Sequence, residues 1–177
     1  MDACIQQCRY LILLADSLLE GIDDAHVAIE PRPGLKTVGW LVGHLATTAD
    51  FGRHLCGRKA ICPREWRAQF TPGTQPSIDP STYPPIAMLR EKFNAVYTDL
   101  CVAVVEADPS LLAAVNPYEP ARNPFYTAGE FVAYMLSGHL AYHVGQLSAW
   151  RTAAGPSIAR RAVVKRLAKG VLEIDVA

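Results

Sequence analysis

Apolar positions recur along this chain at steps of three and four. Near the start, Cys4, Cys8, Leu11, Ala15 and Leu18 follow that spacing with Gln6, Gln7, Arg9 and Asp16 between them, which predicts an amphipathic helix over residues 3–20. A second helix is expected from a Thr37 N-cap to about Cys56, with Val38, Leu41, Leu45 and Leu55 on its apolar positions. Gly39, Gly43 and Gly52 fall inside it. Each costs about 1 kcal/mol against alanine in a helix interior, so close approach of another backbone is the expected reason for them. The most regular seam is Ile86, Leu89, Phe93, Val96, Leu100, Ala103 and Ala107, a bundle helix throughout. The last long helix opens at "TAGE", where Thr127 and Glu130 form a capping box, and runs to about Ala154 before Gly155-Pro156.

Between these segments the pattern breaks down. Residues 57–85 contain Pro63, Pro72, Pro76, Pro80, Pro84 and Pro85, which leaves a long loop suited to form one wall of a pocket. Asp108-Pro109 begins a short turn or helix through Val115, and "NPYEPARNPFY" is a second proline-broken connection. Ser157 to Lys169 reads as a shorter basic helix and "VLEIDV" as a terminal strand. Four principal amphipathic helices must bury their stripes on one another, so the expected fold is an all-α four-helix bundle with long proline-containing connections and a short C-terminal extension. The 177 residues suffice for one domain, 1–177, and would cramp two.

Composition adds exclusions. Half the residues are hydrophobic and 19% are charged, the profile of a folded chain. The formal net charge is zero, so no global field draws the protein to nucleic acid or membrane. The charge is unevenly spread: acidic residues dominate the first thirty positions, and Arg151, Arg160, Arg161, Lys165, Arg166 and Lys169 reverse the balance at the other end. A contact between the two ends is expected, with no nucleic-acid site, because the basic segment lacks aromatic residues. The N-terminus has no basic region followed by an apolar core, and no later apolar run approaches the ~18 residues of a membrane span, so a cytoplasmic location is expected. The five cysteines read as reduced thiols packed like small hydrophobes, with Cys56 and Cys62 the one local pair.

The chemistry concentrates in "SGHLAYHVGQLSAW". On a helix, His139 and His143 return to within roughly 40° of one direction, on the stripe of Val132, Leu136 and Trp150, so both rings face the bundle. Adjacent buried imidazoles seldom both satisfy two nitrogens in an apolar core, and a shared divalent metal gives each a partner. The third candidate is His44, in "WLVGHLATTAD". Alone it reads as a core histidine bonded to a carbonyl; three histidines on inner faces of two helices read as a metal site. His54 lies about 80° from His44 on the wheel and His26 falls in a loop, which leaves surface roles for them.

"TVGWLVGHLATTADF", followed about a hundred residues later by "HLAYHVGQLSAWRTAAG", resembles the DinB superfamily of four-helix proteins. The matching positions are His44, His139, His143, Gly145, Gln146 and Gly155. The resemblance implies a divalent metal, usually zinc or nickel, on His44, His139 and His143, and commonly a homodimer. It also implies kinship with thiol-dependent S-transferases that use bacillithiol or mycothiol and with a maleylpyruvate isomerase. Three neutral imidazoles leave coordination positions open, as at catalytic metals. The segment H-L-A-Y-H lacks the glutamate of H-E-x-x-H, Glu130 is committed to its cap, and Asp50 points about 120° from His44. A metal that acidifies a low-molecular-weight thiol needs no such base, which favours S-transfer to a small electrophile. Tyr126, Tyr142 and Gln146 are further candidates to orient water or substrate. Two alternatives stand: a non-catalytic bundle tied together by its metal, and a metal-dependent hydrolase that recruits Glu65 or Asp79 from the 57–85 loop.

Overall fold

The computed structural model of the chain describes residues 1–154. The expected Gly155-Pro156 stop, basic helix and terminal strand lie outside the described residues. Seven α-helical segments occur among them: α1 (Asp2–Leu18), α2 (Val38–Leu55), α3 (Trp66–Phe70), α4 (Ile86–Glu106), α5 (Pro109–Ala113), α6 (Ala128–Tyr134) and α7 (Leu140–Ala154). Helices α6 and α7 are joined end to end by a π-helical stretch, Met135–His139, and together make the fourth long rod. No strand forms among the described residues; a single bridge pairs Val115 with Thr127.

The four rods pack as an all-α bundle. Helices α1 and α2 each contact both α4 and α7, which sets α1 and α2 on opposite corners. The apolar seam of α4 is the common floor: Leu89, Phe93, Val96, Leu100 and Ala103 are all buried. Polar ties fix the registers. Asp16 of α1 accepts from Asn94 Nδ2 at 3.1 Å and from Arg90 at 3.5 Å on α4. Arg151 donates to the carbonyls of Leu18 and Glu20 at the end of α1, so within the described residues the basic end meets the acidic end through backbone oxygens. Helix α2 starts as its sequence indicates, with Thr37 Oγ1 accepting from Trp40 N at 3.3 Å. The Thr127–Glu130 box opens α6, each side chain accepting from the other residue's amide.

Two expectations change, and one concerning the cysteines holds. Residues 57–85 are no continuous loop: α3 and a 3-10 turn at Pro80–Thr82 interrupt them, in windows too short to show a period. The five cysteines are free thiols, as expected, Cys56 and Cys62 included. The final rod is not one regular α-helix. Ala128, Val132, Leu136, Leu140 and Val144 are all buried, a run of four-residue steps, and each such step overshoots an α-helical turn by roughly 40°. A wide turn at Met135–His139 absorbs the accumulated drift and keeps the stripe facing the core. Among the described residues, no helix is long and apolar enough to cross a membrane.

Candidate metal centre

The glycines of α2 explain how the centre is approached. A Cβ on Gly43 would lie 2.6 Å from the Phe70 ring, so only glycine there lets α3 settle on α2. A Cβ on Gly39 would meet the Val27 carbonyl oxygen at 2.8 Å, the close backbone approach anticipated for this helix. With α3 seated, the Phe70 carbonyl reaches His44 and accepts from its Nδ1 at 2.7 Å. Trp40, one turn before His44, stacks on the imidazole with centroids 4.6 Å apart and planes 7° from parallel. Its indole Nε1 donates to Thr74 Oγ1 at 2.9 Å, a second tie between α2 and the segment after α3.

The wide turn and α7 supply the other two rings. His139 is the last residue of the π stretch, and His143 follows one turn later. The three ring centroids stand 4.6 to 5.2 Å apart, and one ligand atom from each residue lies within 4.8 Å of the others. All three sequence-predicted ligand positions are therefore brought to one point. His54 is exposed on α2, and His26 pairs with Asp23 in a 3-10 turn, so neither joins the cluster.

Hydrogen bonding decides which nitrogens face inward. A carbonyl can only accept, so His44 carries its proton on Nδ1 and turns the Nε2 lone pair toward His139 Nε2, 3.2 Å away. His143 Nδ1 donates to Gln146 Oε1 at 2.8 Å, which leaves the His143 Nε2 lone pair free. His139 has no such second partner: its Nδ1 is buried without a hydrogen bond. Burial also keeps the rings uncharged. It lowers the pKa of His44 to about 4, against the pull of the Phe70 carbonyl, and that of His139 to about 3. His143 is lowered too, again chiefly by burial, although the Gln146 bond opposes it. Three neutral imidazoles with converging lone pairs, one of them short of a partner, form a donor set that a divalent cation fits and hydrogen bonds alone leave incomplete.

A family model for the DinB superfamily matches residues 14–147, from within α1 to the middle of α7. This chain belongs to the DinB superfamily. No curated protein matches it. The DinB match spans all three histidines together with Trp40, Phe70 and Gln146, the groups that hold them.

Some of the surrounding residues differ from expectation. Gln146 is occupied with His143 instead of free to orient a substrate. Tyr142 meets the His143 ring edge-on at 5.0 Å, and both Tyr142 and Tyr126 are exposed. The structure adds Trp40 and the Phe70 carbonyl. Trp40 stands four residues before His44, the spacing that puts an aromatic ring over a helical neighbour. A main-chain carbonyl has no residue type to betray it.

Proposed function

We propose that His44, His139 and His143 hold one divalent cation, zinc or nickel, and that this centre serves a thiol S-transferase acting on a small electrophile. The observation that carries the proposal is the cluster of three neutral inward-facing imidazoles with no carboxylate hydrogen-bonded to any of them among the described residues. The chemistry such an ion supplies is acidification of a bound thiol. The chain's own residues do the positioning. Phe70 and Gln146 set the tautomers of His44 and His143, and Trp40 covers one face of His44. In the transfer, sulfur forms a bond to the electrophilic carbon, the leaving group departs with the bonding pair, and the thiol proton passes to solvent.

The hydrolase reading has less support, because among the described residues no carboxylate is hydrogen-bonded to the three histidines. Asp79 caps the Pro80–Thr82 turn through Ser81, and Asp50 is tied to Arg53 and two loop amides. Glu65 is exposed at the start of α3. A purely structural metal would also join α2 to α7, and function separates the two cases. Elemental analysis of purified protein is expected to give one zinc or nickel per chain, and a screen of bacillithiol, mycothiol and simpler thiols against an electrophilic acceptor is expected to show turnover. Full metal content in His44→Ala, His139→Ala and His143→Ala would overturn the site. Full metal in the parent with no thiol-dependent turnover would leave only the structural role.

A homodimer of single-domain chains in the cytoplasm completes the proposal. It is supported by exposed apolar residues on α4, Val102 and Val105, the latter 68% exposed. Sedimentation showing only a 19.3 kDa species at micromolar concentration would refute the dimer.

A further inference from the structure

A cavity of about 580 Å³ opens between α2, the segment around α3, and α6 with the wide turn after it, a size typical of small-molecule sites. None of the three histidines lines it, but its walls come from the elements that carry them. Thr47 in its wall follows His44 by three residues, Met135 precedes His139 by four, and Thr71 follows the Phe70 carbonyl that holds His44. Its body is apolar and aromatic: Phe51 and Met135 line it, and Phe131 stacks on Tyr118 with centroids 5.7 Å apart. Such walls suit a flat or ring-bearing group.

The polar groups in the wall are unequal. Asp50 is buried and saturated: it accepts from Arg53 Nη1 at 2.6 Å and from the amides of Ile61 and Cys62 at 3.1 Å. Its oxygens are already occupied, so an occupant finds few free acceptor positions on it. Arg67 and His54 are exposed, and neither makes an ion pair among the described residues. An apolar interior therefore meets an unmatched guanidinium, whose planar fork suits a carboxylate.

We infer that this cavity binds a small molecule with an apolar, ring-sized body and a terminal carboxylate paired to Arg67. We assign it as the subsite for the acceptor of thiol transfer, an assignment that rests on the metal-centre reading above, whereas the binding does not.

Calorimetry on the full-length protein, as purified and after treatment with a chelator, tests this with 4-phenylbutyrate and its neutral isostere 4-phenylbutanamide. The acid is expected to bind once per chain and at least tenfold more tightly than the amide, with or without metal. Arg67→Met is expected to weaken the acid about tenfold and leave the amide unchanged, and Phe51→Ala to weaken both. Equal affinity for acid and amide, an unchanged Arg67→Met, or no saturable binding of the acid would overturn the inference. So would binding that vanishes on chelation, since it would put the carboxylate at the histidines. Metal content and thiol turnover of the same preparations judge the metal reading separately. A carboxylate preference that persists in His44→Gln would uphold the cavity even if the metal reading failed.

Discussion

Helix α2 carries two buried polar clusters about two and a half turns apart, and they are completed to different degrees. At Arg53 and Asp50, each only 6% exposed, the charges answer one another: Arg53 donates to Asp50, Asp99 and the Lys59 carbonyl, and Asp50 takes two loop amides besides. At His44, the two neighbouring rings bring lone pairs and no charge, and one nitrogen of His139 has nothing to bond. The first cluster pins the chain after α2 and is closed to ligands. The second lacks a positive centre, and its three donors could hold a metal ion. A buried polar group is thus informative less for being buried than for what its hydrogen bonds leave over.

The sharpest way to break the comparison is Arg53→Met. It strands the buried Asp50 carboxylate, so a loss of about 3–5 kcal/mol is expected in urea unfolding, with the metal content of the remaining folded protein unchanged. Acid should discriminate the clusters next. In the metal-free protein, unfolded histidines take up protons near pH 6.5, while folded His44 resists until about 4 and His139 until about 3. The folded state binds fewer protons in that window, so stability falls as pH drops below about 6.5, by on the order of 3 kcal/mol from His44 at ~1.4 kcal/mol per unit. Unfolding curves of His44→Gln should be correspondingly flatter with pH.

Gly43→Ala has a middle-sized effect with two readouts. The new methyl meets the Phe70 ring, and a cost of about 1–3 kcal/mol is expected together with weaker metal retention, because displacing Phe70 removes the acceptor of His44. The smallest effect on stability belongs to His139→Leu. Replacing an incompletely bonded imidazole by an apolar group should change metal-free stability by less than about 1 kcal/mol while abolishing metal binding in a competition assay with a chromogenic chelator. A large loss of stability there would erase the distinction between the clusters.

The readable parts of this site were those written in side chains on long helices. His44, His139 and His143 declared themselves by spacing, and Thr37 and Thr127 marked the helix starts that put them in phase. The Phe70 carbonyl was out of reach, since α3 is five residues between prolines and contributes a backbone atom. Gln146 was visible as a residue but not as the acceptor for His143, because a glutamine three positions along a helix can turn either way. The pairing of Arg53 with Asp99 joins helices 46 residues apart and depends on tertiary packing alone.

The wide turn at Met135–His139 makes the fourth rod a phase shifter. Such a turn is equivalent to one extra residue spliced into an α-helix and absorbed without loss of phase, so the same residues wound as a plain α-helix would rotate everything downstream by up to roughly 100°. In that winding Val132 would keep its place, while His143, Leu147 and Trp150 would swing off the core together. The width of this turn is therefore what aims the histidine pair at His44, and a change that forced regular winding here without removing a residue would do more damage than many substitutions elsewhere.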